Sequence, residues 1–183
     1  MATAKTGSFY LTETVTLAAG AISGTRVQGT VDLSSYVNVP TGQAIAIDQV
    51  DFITQDGTAF SQAASGFLVG NGCISMQLTD LNPGTVFVRA DDNNLIASGA
   101  LNIDATNNIV SHQADIYPDN FGPSALSEMF LCVNDTLYLV AGNNAAAVGA
   151  EDLYVTARIR ARVVKLGTKD WMAIAIQSTA SDN

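Results

Sequence analysis

The sequence predicts an all-β fold, an antiparallel two-sheet β-sandwich, and three observations carry that reading. Apolar residues recur with a period of two along most of the chain, and sustained helical periodicity is nearly absent. Gly, Pro, Asn and Asp cluster between the apolar runs, at the spacing that chain reversals in a sandwich or barrel require. Of the 183 residues, 48% are hydrophobic and only 14% are charged, which is ample for a packed core and too apolar for a disordered chain. The span 1–183 reads as a single β-sandwich domain, with residues 1–7 and 178–183 as flexible termini and helix below ~15%.

The elements follow in order from these signals. A strand over 8–17 stops at Ala18-Ala-Gly20, and a second is expected over 26–33. Pro40-Thr-Gly42 and Gln55-Asp-Gly57 bracket a third over 43–54. Asn82-Pro-Gly84 separates strands over 66–79 and 85–90, and Asp91-Asp-Asn-Asn94 leads into 95–103. Asn107-Asn108 precedes 109–117, and Gly142-Asn-Asn144 follows 129–140. The last pair covers 152–166 and 170–177. Gly supplies positive φ, Pro fixes φ, and Asn or Asp caps its own backbone, so each cluster has a mechanism for turning the chain. The best helix candidate is Pro123–Phe130, one or two turns inside a loop.

Two strands say more than the others. In 43–54 the apolar set runs Ile45, Ile47, then Val50, Phe52; the step of three breaks the period and places a β-bulge near Asp48–Gln49. In 152–166, Leu153, Val155, Ala157, Ile159, Ala161 and Val163 point one way, and Tyr154, Thr156, Arg158, Arg160 and Arg162 the other. At ~3.3 Å per residue such a strand is long enough to bend across a sandwich or reach past its own domain.

No signal-peptide stretch opens the chain and no apolar run approaches a membrane span, so a soluble protein made in the cytosol is expected, without a transmembrane segment. Cys73 and Cys132 each fall in an apolar strand-like run and read as buried, reduced thiols. Asn134-Asp135-Thr136 fits the glycosylation sequon, and with no export signal it reads as a turn.

Candidate chemistry is thin. His112 is the single histidine; Asp115 is near enough in sequence to orient it, yet no Ser or Cys lies in a nucleophile motif, so it reads as a spectator on a strand. One His and two distant Cys give no metal-ligand spacing. The carboxylate pairs Asp48/Asp51, Asp91/Asp92 and Glu151/Asp152 all lie at turns or the bulge, where Asp caps backbone. The Asp/Asn-rich turns at 91–94 and 104–108 offer Ca²⁺ a set of oxygens without the Asp-x-Asx-x-Asx-Gly loop pattern. Gly66–Gly72 lacks the lysine and helix of a phosphate-binding loop. No catalytic residue and no cofactor is expected.

Charge is the anomaly. Net charge is −9, which argues against a chain that grips nucleic acid or an anionic membrane. Yet Arg158, Arg160, Arg162, Lys165 and Lys169, five of the eight basic residues, crowd into twelve positions. Three arginines on one strand face repel one another unless something negative faces them: carboxylates of neighbouring strands, the acidic surface of another copy, or a nucleic-acid backbone. Arg158, Arg160 and Arg162 are the candidate assembly contact, in line at ~6.6 Å intervals.

A signal-free all-β domain of this size, poor in charge, rich in Ala, Gly, Thr, Ser and Asn, and ending in the patterned pair Leu153–Leu166 and Asp170–Gln177, resembles virion structural proteins, in architecture the single jelly-roll capsid subunit. The resemblance covers most of the chain and is one of style and composition. It implies a self-assembling homo-oligomeric shell, a virion location after synthesis in the host cytosol, and copies of itself, with other virion proteins, as partners. Met1–Tyr10 holds only Lys5 where many capsid proteins carry a basic arm, so the genome is not the dominant contact. Assembly has its own physical case: a surface rich in amides and hydroxyls loses less on desolvation than one coated in Lys and Glu. A decoration or spike protein is the related alternative. The rival class is a glycan- or surface-binding β-sandwich, with Tyr10, Tyr36, Tyr117, Tyr154 and Trp171 as stacking platforms; an enzyme ranks third.

Overall fold

Period-two alternation becomes strand pairing throughout the computed structural model, which describes residues 2–114 and 130–179. The strands are β1 Thr3–Ala4, β2 Phe9–Leu17, β3 Arg26–Asp32, β4 Gln43–Asp56, β5 Gly72–Thr79, β6 Leu95–Asp104, β7 Ile109–Ala114, β8 Phe130–Cys132, β9 Thr136–Asn144 and β10 Leu153–Lys165, and helix α1 spans Thr168–Thr179. They build two antiparallel sheets. In the first, β1 and β2 share one edge of β10, β4 takes the other edge, and β8 pairs with the far side of β4. The second runs β3-β9-β5-β6-β7.

Apart from short β1 and edge strand β7, the strands pair first with last: β2 with β10, β3 with β9, β4 with β8, β5 with β6. A long hairpin wrapped across two sheets has this order, which makes the sandwich a jelly roll. Alternate residues of both sheets meet between them. Leu17, Ile45, Ile47, Leu153 and Ile159 from the first sheet pack against Ile74, Leu78, Leu137 and Leu139 from the second, with Phe67 filling one end. This shared core fixes register, because a one-residue slip of β10 would bury its arginines. No helix among the described residues is long and apolar enough to cross a membrane.

Several expectations are corrected. The stretch 170–177 is helix, not strand. Trp171, Ile174 and Ala175 lie on one helical face and pack over Ala44, Ala46 and Val164 on the outside of the first sheet. The strand expected over 85–90 is irregular chain, because its backbone bonds go to a side chain: Gln77 Nε2 donates to the Val88 carbonyl (3.0 Å) and Val88 N–H donates to Gln77 Oε1 (2.8 Å). Of 66–79 only Gly72–Thr79 is strand; Phe67 and Leu68 are buried from a short turn instead. The run 129–140 divides into β8 and β9, one in each sheet. Near the start of the described chain, β1 pairs with Val164 and Lys165, and Lys5 N–H donates to the Val163 carbonyl at 2.8 Å. Cys132 is buried, but Cys73 on the outside of β5 is only half-buried; both thiols are free. The helix expected over Pro123–Phe130 lies outside the described residues except Phe130, which is in β8, and Asp115 and Tyr117 lie outside them too.

The bulge is where the pattern put it. Arg160 pairs with Gln49 and Ala161 with Ile47, so Asp48 is the inserted residue.

Candidate functional site

The alternation of β10 sets its arginines on the outer face of the first sheet, and its neighbours decide what each one meets. Across one edge, Arg158 is level with Asp51, Arg160 with Gln49 and Arg162 with Ala46; across the other, Arg158 is level with Thr12 and Arg160 with Tyr10. The bulge turns Asp48 onto this face as well. Arg162 donates to Asp48 Oδ1 through Nη2 (2.9 Å) and Nε (3.3 Å), and Ser8 Oγ donates to Asp48 Oδ2 (3.2 Å). Asp48 is 1% exposed, so this pair is an internal strut.

Arg158 is the exposed member of the row, its guanidinium 5.1 Å from the centre of the Tyr10 ring. Arg160 is half-buried between Gln49 and Tyr10, and Gln49 turns its own amide to Asp51 (2.8 Å). The stripe therefore divides: Arg162 is satisfied inside the chain, while Arg158, between Thr12 and Asp51, and Arg160, between Tyr10 and Gln49, lie on the open stretch of the face. The sequence offered no sign that Asp48, 114 positions away, faces Arg162; only the bulge hinted that this residue leaves the period.

Other candidates are dispersed. His112 is exposed on edge strand β7. Asp92 Oδ1 accepts from the Asn94 backbone and side chain (both 2.9 Å), and Arg89 pairs with Asp91 (2.9 Å). Asp104 accepts from Asn107 and Thr106, and the Asn107 side-chain bond first among these holds its carboxyl below the ordinary carboxylate range. Asp152 Oδ1 caps Ala19 N–H (2.8 Å). These carboxylates cap backbone or pair locally, and no cluster among the described residues has the make-up of a metal centre.

A second polar group joins the sheets to α1. Asn134, the sequon residue, donates through Nδ2 to the Asp80 carbonyl (2.9 Å), to Asp80 Oδ2 (3.3 Å) and to Ser178 Oγ (2.9 Å). Desolvation pushes the Asp80 carboxyl up to about 6, and burial likewise pushes the Cys132 thiol up to about 12. A cavity of about 250 Å³ lies beside it, walled by Phe130, Leu131, Ile174 and Gln177.

No family model matches the sequence, and no curated protein is similar to it. Among solved structures, the chain is similar to VP1 of Trichodysplasia spinulosa-associated polyomavirus at 10% identity and TM-score 0.41, over 89% of this chain and 99% of that one. The same protein in complex with sialylated glycooligomers matches at 9% identity and TM-score 0.38, over 86% and 95%. A Desmodium yellow mottle tymovirus structure matches at 10% identity and TM-score 0.26, over 88% and 91%. These neighbours are viral capsid proteins. At this level of likeness no residue role transfers.

Proposed function

We propose that this chain is a structural subunit of a virion shell, assembling with copies of itself through the open face of the first sheet. One observation carries the reading: Arg158 and Arg160 stand on a threonine-rich sheet face, in a chain whose net charge is −9. Another copy offers the carboxylates that such a row can face. Hydroxyls and a sparse charge make the face cheap to desolvate, and depletion of charge is what interface cores select. Each exposed pair contributes only ~0–1 kcal/mol, so the arginines set orientation while repetition by symmetry supplies the affinity.

Light scattering and negative-stain microscopy of the purified chain over a salt series test this directly. The wild type is expected to form discrete particles that weaken with salt. Arg160→Glu is expected to keep the wild-type melting temperature and to form no closed particles. A variant that assembles normally at every salt concentration sinks the reading of the arginine face, and a wild type that is monomeric throughout sinks the shell.

A further inference from the structure

The two ends of the β4/β10 strand pair differ in charge and in shape. At one end Asp56 is level with Leu153. The loops 18–25, 57–71 and 145–152 are knitted there by backbone bonds: Gly20 N–H to Gly149, Val148 N–H to Ala21, Gly57 N–H to Asp152 and Val69 N–H to Ala147. This end holds Asp56, Glu151 and Asp152, and its loops contain no lysine or arginine. Phe60 projects from it, 56% exposed, at φ +52°. A bulky residue in the left-handed region is strained, and such strain persists only where the surroundings impose it. Here they do. Gln55 Nε2 donates to the Phe60 carbonyl (3.0 Å), Asp56 and Ser61 exchange backbone bonds (2.8 and 3.0 Å), and the ring leans on Tyr154 with centroids 5.7 Å apart.

The opposite end lies ~40 Å away along the thirteen residues of β10. There Gln43 is level with Lys165. The turn before β4 and the start of α1 leave a groove of about 690 Å³, walled by Val39, Pro40, Trp171 and Met172, with Lys5 and Lys165 beside them. Lys169 is exposed in the first turn of α1, and Asp170 is the one acidic residue in segments 2–6, 38–43 and 165–172. An acidic end tipped by a held aromatic thus stands opposite a basic end with an apolar groove.

We propose that these ends meet between two copies of this chain, the Phe60 ring of one seated in the Val39–Trp171 groove of the next, with Glu151 brought opposite Lys165. The inference rests on the reading that copies associate, and it uses none of the arginine-face residues. Because the two surfaces differ, the contact is head-to-tail and repeats from copy to copy into a ring or a row. The ring acts as the desolvated anchor and the charges select polarity.

Charge reversal of the full chain, followed by sedimentation velocity, tests the polarity. Lys165→Glu and Glu151→Lys are each expected to block head-to-tail association alone, since every end then repels its partner. An equimolar mixture of the two variants is expected to associate again, because native tips then meet native grooves and reversed tips meet reversed grooves. Phe60→Gly, which suits positive φ and so protects the fold, is expected to raise the concentration needed for assembly by about tenfold or more. Single variants that associate like the wild type overturn the proposal and leave the arginine face standing. Blocked variants that stay apart when mixed overturn it too. A wild type that never associates overturns both this contact and the shell.

Discussion

The outer faces of the two sheets are finished in different ways. On the second sheet, residues 81–94 lie across the strands: Gln77 holds Val88, Gln28 Nε2 donates to Asn82 Oδ1 (2.9 Å) and the Gly84 carbonyl (2.6 Å), and Arg26 stacks on Phe87 at 4.6 Å. Val140, on the outside of β9, is 0% exposed. On the first sheet α1 covers only the end near Val164, and beyond it Tyr10, Thr12, Thr14 and Arg158 stay open. Over β3, β9 and β5 one face is closed by the chain's own loop, while the other keeps Arg158 and Arg160 on an open stretch. The proposed assembly face requires that contrast, because covering it internally would remove it from use.

The sharpest test of the contrast lies within the arginine row, where one member belongs to the fold and the others do not. Arg162→Ala leaves the Asp48 carboxylate buried without its cation and is expected to cost ~3–5 kcal/mol. Urea denaturation measures it. Arg160→Ala, on the open stretch, is expected to change stability by less than ~0.5 kcal/mol. Equal losses at the two positions would mean that the whole row is structural, and the open face would lose its distinction.

This division marks how far the sequence reaches. Strands whose one side faces the core announce themselves by alternation, and the step from Ile47 to Val50 located the bulge because an extra residue must shift the period. Helix α1 was hidden, since Met172 and Ile176 add exposed apolar residues to the buried set and fill in the run. Its seat was visible in principle: Ala44 and Ala46 on an outer face, and Val163-Val164 apolar on both sides, mark a sheet covered twice. Residues 85–90 alternate like a strand, but alternation does not reveal whether a backbone bonds to a ladder or to one glutamine. Pairings such as Arg162 with Asp48 arise from topology, which local pattern does not encode.

At the joint between the two faces stands Asp80, and its titration reports whether that joint is closed. Its carboxyl is raised from 3.8 to about 6, chiefly by desolvation. A raised pKa favours the protonated form in the folded state, so the stability it contributes is complete below the unfolded value and is lost as pH rises through about 6. Asp80→Asn removes the titration and keeps the shape. Relative to wild type, the variant is expected to gain on the order of 2–3 kcal/mol between about pH 4 and about pH 7.5. A difference that stays flat over this range would show that water reaches Asp80 and that the end of α1 is not sealed against Asn134.

The closed face is broken most gently at Gln77. Its amide copies a strand edge, donating to the Val88 carbonyl and accepting from the Val88 N–H, so one side chain ties down the middle of residues 81–94. Gln77→Ala removes both bonds, and Val88 turns to water, so the expected loss is ~1–2 kcal/mol rather than the full cost of two buried orphans. The more telling readout is local. Arg89 follows the tether directly, and its side chain is highly exposed, paired with Asp91 by a surface contact of little strength. Limited trypsin digestion followed by mass spectrometry is expected to cut after Arg89 faster in Gln77→Ala, while cleavage after Arg158 and Arg160 within β10 stays slow. Unchanged cleavage after Arg89 would mean that Gln28 and the Arg26–Phe87 stack suffice to hold the loop. The second face would then be closed by its rim rather than by the Gln77 tether.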